Sequence, residues 1–381
     1  MPQNDNLREE YEAGWKITDI MPLNVLGFQS HRDYFAIDFD RSVLRNRIAE
    51  MRGTKLDDEQ FRQKYDVQDN RDWKLPVARR NLRELKDWEK LLVECAYRPF
   101  DNRPVYFDEI ACDYPRKEVT KHLESENLAL NVVRQTKEET WQHALVTDKP
   151  TPAVFIEIKD GSSIFPLYLY TTPEETAGTL FAQTETTRRA NLAPGFVQML
   201  GEKLALEFVP DGRGNGQTRF GPEDVFYYAY AVFHSPTYRS RYAEFLKIDF
   251  PRLPLTGDKE LFFALADKGC QLVELHLLKA PKVDDFITSY PAAGDNMVEK
   301  VAFASGNVWI NPHQYFGDVP EEVWAFKVGG YQVCEKWLKD RKGRTLSGED
   351  ITHYQRVVVA LKETMRLMQE IDEAIPGWPL E

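Results

Sequence analysis

Residues 220–256 read FGPEDVFYYAYAVFHSPTYRSRYAEFLKIDFPRLPLT, and the predicted fold is built around this aromatic stretch. Pro222 and the two acidic residues after it favour the first turn of a helix, where proline fits and acids meet the positive end of the dipole. Apolar side chains then recur at helical spacing. Because Pro236 lacks an amide donor and disfavours helix in Ser235, the helix is expected to end there. We predict a buried aromatic helix followed by a second helix over residues 238–246.

The rest of the chain predicts helices and short strands that surround this helix pair. Helices are expected over residues 41–51, 75–97, 196–206 and 258–278, and over a C-terminal stretch that Ser347 caps and that extends to about residue 374. Short strands are expected over residues 127–135, 142–147, 153–158 and 165–170, followed by a Thr-rich loop over 171–195. The sequence therefore predicts an α/β fold of the mixed α+β kind. It consists of a mixed-sheet domain with surrounding helices, a helical N-terminal linker and a long C-terminal helix.

The composition of the 381 residues is that of a folded chain without a membrane segment. Hydrophobic residues make up 42% of the chain and aromatic residues 12%, which suffices for a large core. No run of about 18 apolar residues occurs, and the polar N-terminus lacks the apolar core of a signal peptide. The four cysteines stand singly, without a CxxC pair, which argues against a disulfide framework or a zinc site. A reducing, cytoplasmic location is therefore predicted.

The formal net charge of −12 bears on possible partners. An acidic protein repels nucleic acid at long range, so the chain is not expected to coat DNA in a general way. A local basic cleft on an acidic body remains compatible with this total. Any DNA contact must therefore rest on local groups of Lys and Arg.

Several tracts outside the aromatic stretch carry a resemblance to a known family. They are GFQSHRDYFAIDFD at residues 27–40, YRPFDNR at 97–103, the Pro-Arg pair at 115–116, VGGY at 328–331 and WLKDRKGR at 337–344. Together with residues 220–256, they resemble the C-terminal target-recognition region of type ISP restriction-modification enzymes. These are single-chain adenine-specific DNA methyltransferases with a fused specificity domain. The resemblance extends from about residue 14 to residue 371.

The resemblance implies a division of the chain and a set of partners. Residues 1–96 would form a partly helical linker or coupling segment, residues 97–335 the DNA target-recognition domain, and residues 336–381 a basic turn with the C-terminal helix. The chain would read a specific site in double-stranded DNA for methyltransferase and nuclease domains, fused upstream or carried on a separate chain. The cofactor S-adenosylmethionine would belong to the missing methyltransferase part, so no cofactor is expected in this chain.

Two kinds of basic group are candidate DNA contacts. The compact tract at residues 336–344 could hold backbone phosphates, although Lys and Arg at a helix end are equally typical of a solvated terminus. Arginines in loops and at helix ends could read guanine through two hydrogen bonds in the major groove. The candidates are Arg188, Arg189, Arg213, Arg219, Arg239, Arg241, Lys336, Lys339, Arg341, Lys342 and Arg344.

The sequence does not contain the motifs of DNA methylation. The acceptor-amine motif of adenine methyltransferases has two prolines followed by an aromatic residue, whereas residues 311–314 read NPHQ. The glycine-rich loop at 212–216 is not followed directly by a helix, as a cofactor-binding loop would be. The seven histidines show no HxH or HxxxH pairing. We therefore predict no catalytic residue, no metal site and no binding of S-adenosylmethionine.

A Mg²⁺-dependent nuclease is one alternative function. Asp148, Glu157 and Lys159 fit a loose D…ExK pattern, in which two carboxylates hold a metal ion and a lysine helps to orient water. The pattern is short and common in acidic proteins. Asp160-Gly161 directly after the lysine is typical of a hairpin turn instead.

A non-catalytic adaptor is a second alternative. The helix predicted over residues 75–97 carries leucines and a tryptophan at i, i+3 and i+4 spacing. If that apolar face is exposed, it could dock a methyltransferase.

Overall fold

The chain is described here from a computed structural model that places residues 5–176 and 186–380. The α-helices are α1 (Asp5–Glu12), α2 (Ile17–Ile20), α3 (Asp33–Ala36), α4 (Arg41–Arg52), α5 (Asp58–Tyr65), α6 (Leu75–Glu84), α7 (Lys117–Thr120), α8 (Pro173–Thr176), α9 (Pro194–Leu204), α10 (Pro222–His234), α11 (Pro236–Arg241), α12 (Ala243–Leu246), α13 (Lys259–His276), α14 (Glu321–Ala325), α15 (Val333–Lys339) and α16 (Gly348–Ala374). Short 3₁₀ turns occur at Trp88–Leu91, Lys121–Leu123 and Pro281–Asp284. Among the described residues, no helix is long and apolar enough to cross a membrane.

The strands are short and form several small sheets. They are β1 (Trp15–Lys16), β2 (Val25–Leu26), β3 (Leu92–Arg98), β4 (Asp101–Tyr106), β5 (Ala129–Val132), β6 (Ala144–Thr147), β7 (Ser163–Pro166), β8 (Tyr168–Thr171), β9 (Thr187–Ala190), β10 (Glu207–Phe208), β11 (Arg219–Phe220), β12 (Arg252–Leu253), β13 (Ala302–Ala304), β14 (Asn307–Trp309), β15 (Tyr315–Phe316), β16 (Lys327–Val328) and β17 (Tyr331–Gln332). The largest sheet has the order β2-β7-β5-β6, and its strands pair antiparallel. The β10–β11 pair is parallel, so the sheets are mixed. The predicted mixed α/β fold class is confirmed.

Helix α10 lies at the centre of the molecule, as its sequence predicts. Every residue of α10 is buried except Glu223, which is half-buried; such a helix belongs to the interior because it has no polar face to expose. Pro222 begins the helix, and the buried carboxylate of Asp224 accepts the amides of Gly214 (2.6 Å) and Gly221 (3.0 Å). The predicted break at Ser235 is confirmed, and α13 and α16 pack around α10.

A buried chain of hydrogen bonds ties these three helices together. The Val146 amide donates to the Tyr230 hydroxyl (3.1 Å), which donates to Nδ1 of His276 (2.5 Å). Nε2 of His276 then donates to Thr364 (2.9 Å), whose hydroxyl donates to the Ala360 carbonyl (2.7 Å). Burial lowers the pKa of His276 to about 3, so the ring is neutral and can accept at Nδ1. The hydroxyl groups of Tyr230 and Thr364 and both ring nitrogens of His276 are therefore hydrogen-bonded inside the core.

The close contact between α10 and α13 depends on Gly269. A Cβ atom at this position would lie 1.9 Å from the carbonyl oxygen of Tyr227, so the helix backbones would have to separate. We expect Gly269→Ala to lower the free energy of unfolding by about 1–3 kcal/mol in urea denaturation. Gly195→Ala in α9 is the matched control, because nothing lies within 4 Å of its Cβ and alanine favours helix. Equal effects at the two positions would contradict the close packing.

A second core belongs to the N-terminal part of the chain. Its buried side chains run from Phe28 to Cys112 and include those of α4, α6 and the β3–β4 hairpin. The larger core contains α10, α13 and α16 together with the small sheets. A domain boundary between residues 96 and 97 falls inside β3, and the hairpin crosses it with Cys95 paired to Arg103. The larger core also includes side chains from before residue 112, namely Tyr11, Ile17, Ile20, Met21, Ala96 and Phe100, and the predicted division of the chain into three parts stays a prediction.

The prediction of a helix over residues 75–97 is wrong for the second half of that range. Helix α6 ends at Glu84, a 3₁₀ turn follows, and the remainder forms strand β3. The buried side chains of Leu82, Trp88 and Leu92 produce the helical spacing, but residues 92–98 pair with β4. Tertiary pairing therefore overrides the local pattern.

The strand predicted over residues 153–158 is also wrong. The Phe155 amide donates a hydrogen bond to the Pro152 carbonyl (3.0 Å), and the Lys159 amide donates to the Glu157 carboxylate (3.1 Å). Because these bonds are local, the backbone turns in this segment. The strand predicted over 165–170 is divided between β7 and β8. Within the predicted loop 171–195, residues 187–190 form strand β9 and pair with β8, whereas residues 177–185 lie outside the described ones.

Candidate nucleic-acid interface

Four of the tracts that carry the family resemblance meet in one cluster at the junction of the two cores. Arginine side chains alternate with aromatic rings there, and each guanidinium carbon lies 3.4–5.4 Å from a ring centroid. We call this cluster the arginine–aromatic ladder; its members are Tyr331, Arg98, Tyr97, Arg103, Phe39, Arg344, Arg341 and Trp337. Such cation–π contacts contribute about 0.5–2 kcal/mol each, depending on burial. The ladder therefore joins residues 27–40 and 97–103 to the C-terminal part of the chain.

Arg103 and Arg341 are held by two carboxylates, of which Asp101 is buried and Asp340 is half-buried. Asp101 is 2% exposed and binds both Arg103 (2.6 Å) and Arg341 (2.9 Å). Asp340 binds Arg103 (3.4 Å) and Lys336 (2.5 Å). Burial alone would raise the pKa of Asp101, but the charges of Arg341 and Arg103 outweigh it and lower that pKa. These groups hold the junction together and are not available to a ligand.

The other two arginines of the ladder, Arg98 and Arg344, differ from Arg103 and Arg341. Arg98 lies between the rings of Tyr97 (4.1 Å) and Tyr331 (5.4 Å), and Arg344 lies over Phe39 (4.3 Å). Within the described ranges, neither arginine has a carboxylate within salt-bridge distance. Both guanidinium groups are oriented by aromatic rings and can accept an anionic partner.

The predicted basic tract at residues 336–344 contains both cations that are buried or paired and cations that are exposed. Arg341 is 7% exposed and also donates to the Trp337 carbonyl (3.1 Å), and Lys336 and Lys339 form ion pairs along α15. Lys342 and Arg344 are exposed. Only part of the tract therefore presents its charge to solvent.

Three of the predicted loop arginines lie around the N-terminus of α10, each paired with an acid. Arg188 binds Asp211 (2.8 Å) and lies over the ring of Tyr168 (4.3 Å). Arg213 bridges Asp224 and Asp267, both at 2.7 Å. Arg219 binds Glu207 at 3.1 Å across the β10–β11 pair. The loop at 212–216 is held by these contacts against α10.

The remaining predicted arginines have other surroundings. Arg189 is exposed on β9 and has no ion pair among the described residues. Arg239 is half-buried, donates to the Phe233 carbonyl (2.7 Å) and lies 5.8 Å from the ring of Trp141; burial lowers its pKa to about 10. Arg241 binds Glu10 of α1 through two nitrogens at 2.6 and 2.7 Å. The structure therefore does not bring the eleven candidates onto one surface, and their role in DNA binding stays a prediction.

The residues of the nuclease alternative are not brought together as a metal site. Asp148 binds Lys149 and Lys279, both at 2.8 Å. Glu157 is buried; burial opposes its ionisation, but hydrogen bonds from His143, Thr136 and the Lys159 amide lower its pKa to about 2. Among the described residues, no group of three or more His, Cys, Asp or Glu could hold a metal ion.

The adaptor alternative depended on an exposed apolar face over residues 75–97. Leu75, Leu82 and Trp88 are instead buried in the N-terminal core, because α4 packs against α6. Val77, at 42% exposed, is an isolated apolar side chain. The predicted docking face is therefore already covered by this chain.

Sequence reasoning missed three arginines that two of the motifs contain. Arg98 and Arg103 lie in the YRPFDNR tract, and Arg116 lies in the Pro-Arg pair. The available signal was the arginine beside aromatic residues in YRPFDNR, a pattern typical of cation–π contacts. The predicted candidates lie instead in predicted loops and at helix ends.

Comparison with known protein families places the chain in the class of restriction-modification specificity domains. Within that class it belongs to the Type ISP C-terminal specificity domain family, which matches residues 19–370. The match includes every tract on which the resemblance rests. No curated protein matches the chain.

Three solved structures share the fold. One is the Type ISP enzyme LlaBIII bound to DNA, with a TM-score of 0.70 and 19% identity over 100% of this chain and 25% of that chain. The second is a nuclease-deletion mutant of the Type ISP enzyme LlaGI in complex with a DNA substrate mimic, with a TM-score of 0.64 and 18% identity over 97% of this chain and 29% of that chain. The third is a DrdV–DNA complex, with a TM-score of 0.70 and 20% identity over 92% of this chain and 36% of that chain. The chain thus spans between a quarter and about a third of these proteins.

Proposed function

We propose that this domain reads a target sequence in double-stranded DNA for the catalytic domains of a Type ISP restriction-modification enzyme. The family match over residues 19–370 carries this proposal. The fold shared with LlaBIII, LlaGI and DrdV, each solved in complex with DNA or a DNA mimic, supports it. Adenine methylation, DNA cleavage and the binding of S-adenosylmethionine would belong to other domains of the enzyme. Such an enzyme would act in the cytoplasm, where the DNA is.

The contacts to the phosphates of the DNA backbone are assigned to Lys and Arg side chains that form no ion pair with an Asp or Glu of this chain. Lys342 and Arg344 are exposed at the end of the basic tract, and Arg98 lies between the rings of Tyr97 and Tyr331. An arginine held between aromatic rings loses little conformational freedom when it binds a phosphate, so its contact is favourable. Lys339 would contribute little, because it is paired with Glu335 at 2.9 Å.

Base reading is assigned to Arg189. It lies on the β8–β9 hairpin next to Arg188, whose guanidinium is occupied by Asp211. Arg213 would first have to leave Asp224 and Asp267, whereas Arg189 can reach a guanine edge without breaking an ion pair.

The test is a set of DNA-binding isotherms at several low salt concentrations, on a target duplex found by selection from random sequence and on a scrambled duplex. Arg98→Ala or Arg344→Ala should weaken binding to both duplexes and reduce the salt slope by about one. Arg189→Ala should weaken the binding free energy by about 1–3 kcal/mol for the target duplex and leave that for the scrambled duplex unchanged. Lys339→Ala is the control and should change neither the affinity for the two duplexes nor the salt slope.

One outcome would end the proposal. If the domain selects no sequence and binds no duplex at low salt, and also gains no DNA binding when a Type ISP methyltransferase core is added, it does not read DNA.

A further inference from the structure

Two segments of the N-terminal part of the chain meet beside Tyr114. The amide of Gln29 donates to the Tyr114 carbonyl and the amide of Tyr114 donates to the Gln29 carbonyl, both at 3.0 Å. This pairing brings His31 and Arg116 to the same aromatic ring. The His31 ring lies 5.7 Å from the Tyr114 ring in an edge-on arrangement, and the Arg116 guanidinium lies 4.9 Å from it. Two tracts of the family resemblance, about 80 residues apart in sequence, therefore contact one tyrosine ring.

The buried carboxylate of Asp113 fixes the orientation of His31. One oxygen binds Arg32 (2.6 Å), and the other accepts from Nδ1 of His31 (2.7 Å) and from the Asn70 amide (2.6 Å). Arg32 is itself held, because it lies 4.1 Å from the Trp73 ring and donates to a backbone carbonyl. Since a carboxylate can only accept, Nδ1 of His31 carries its proton towards Asp113. The free nitrogen is Nε2, on a side chain that is 46% exposed.

Arg116 has no acid partner. No carboxylate lies within salt-bridge distance of it in the described ranges, and its Nε is buried without a hydrogen-bond partner there. The nearby carboxylate of Asp72 is occupied by the Tyr114 hydroxyl (2.7 Å) and by Arg71 (2.9 Å). The guanidinium of Arg116 is thus oriented by an aromatic ring but lacks a counter-ion.

The backbone at this surface is strained. His31 has φ 54° and Arg116 has φ 59°, both in the left-handed region that side chains other than glycine seldom adopt. Such a conformation is unfavourable for a residue other than glycine, and it persists where the surrounding structure fixes it. Here the strained backbone places a histidine and an arginine against the same tyrosine ring, and the carboxylate of Asp113 holds the histidine.

We propose that His31 and Arg116 form a binding site for one phosphate of the DNA backbone, separate from the ladder and from the basic tract. The proposal rests on the proposed DNA-reading function. Arg116 donates two N–H groups to the phosphate oxygens. A protonated His31 keeps Nδ1 on Asp113 and donates from Nε2 to the same phosphate. Because backbone contacts carry no sequence information, this site fixes the position of the domain on the duplex.

The experiment compares Arg116→Ala, His31→Asn and Arg116→Lys with a matched control, Arg71→Ala. Arg71 is 86% exposed beside the same tyrosine, but it is paired with Asp72. Arg116→Ala should weaken binding about tenfold on target and scrambled duplexes alike and lower the salt slope by about one. Arg116→Lys should keep the slope but bind more weakly, since a lysine cannot bind two oxygens. Arg71→Ala should behave as the wild type.

A second readout follows the His31 ring directly by NMR, with its resonance assigned through His31→Asn. Addition of a short duplex should shift this resonance in the wild type and not in Arg116→Ala. An unchanged salt slope in Arg116→Ala, or a His31 resonance that does not respond to bound duplex, would overturn the proposal.

Failure of the proposed function is recognised separately. If the wild type binds no duplex, the DNA-reading function is wrong, and titration with inorganic phosphate then decides the site. A saturable shift of the His31 resonance that Arg116→Ala abolishes supports an anion site. No shift rejects it.

Discussion

Asp101→Asn should lower the free energy of unfolding by about 3–5 kcal/mol, because it leaves two buried arginines without their shared carboxylate. Arg103 and Arg341 are 8% and 7% exposed, so water cannot replace the lost charge. Both guanidinium groups would also lose their fixed positions beside Phe39. Urea denaturation followed by circular dichroism measures the change.

The matched control is Asp211→Asn, which removes the carboxylate partner of Arg188 at an exposed site. Exposed pairs contribute about 0–1 kcal/mol, so this variant should stay near the wild type. If the two variants lost similar stability, the Asp101 cluster would not be a buried ion-pair network.

The same cluster predicts how stability depends on pH. The folded-state pKa of Asp101 is lowered, so its contribution is fully present above the unfolded pKa of about 4 and is lost as the pH falls through the folded value. The stability difference between the wild type and Asp101→Asn should therefore shrink as the pH is lowered below about 4. A difference that stays constant down to the acid transition would contradict this assignment.

Phe233→Ala should lower the free energy of unfolding by about 3–5 kcal/mol, because it removes a fully buried ring from the central helix. The ring packs edge-on against Trp141 at 6.2 Å and lies 5.7 Å from the ring of Tyr238. Neither neighbour can fill the space without leaving its own position in the core. The loss should appear as a lower urea midpoint and a lower Tm.

The control for this deletion is Phe286→Ala, which removes the same atoms from a side chain that is 43% exposed. A change within about 0.5 kcal/mol is expected there. An unchanged midpoint for Phe233→Ala would mean that the aromatic helix does not form the centre of the core.

The elements that the sequence predicts well are those whose signals are local. Helix α10 carries its own start and stop residues, and Ser347 with Asp350 forms the capping box that begins α16. The wrong half of the helix over residues 75–97 follows from a pairing with β4 that no local pattern contains. Periodicity reports that a side chain is buried, but not which partner buries it.

The candidate site was harder to predict for the same reason. In sequence, Arg341 is one cation in a basic run, which is typical of a solvated helix end. In the structure it is buried against Asp101, 240 residues away. Arg213 likewise stands in a glycine-rich loop, but two acids from α10 and α13 bind it. Whether an arginine can bind DNA therefore depends on acidic residues that lie far from it in sequence.

The span of the arginine–aromatic ladder also has a consequence for the order of folding. Asp101 and Arg103 are synthesised well before Asp340 and Arg341, so a growing chain carries the first pair without the second until the residues between them have been made. Contacts between residues so far apart in sequence form slowly, because a long loop must close first. The N-terminal core can therefore collapse early, but its junction with the rest of the domain is completed only after the last helices have left the ribosome.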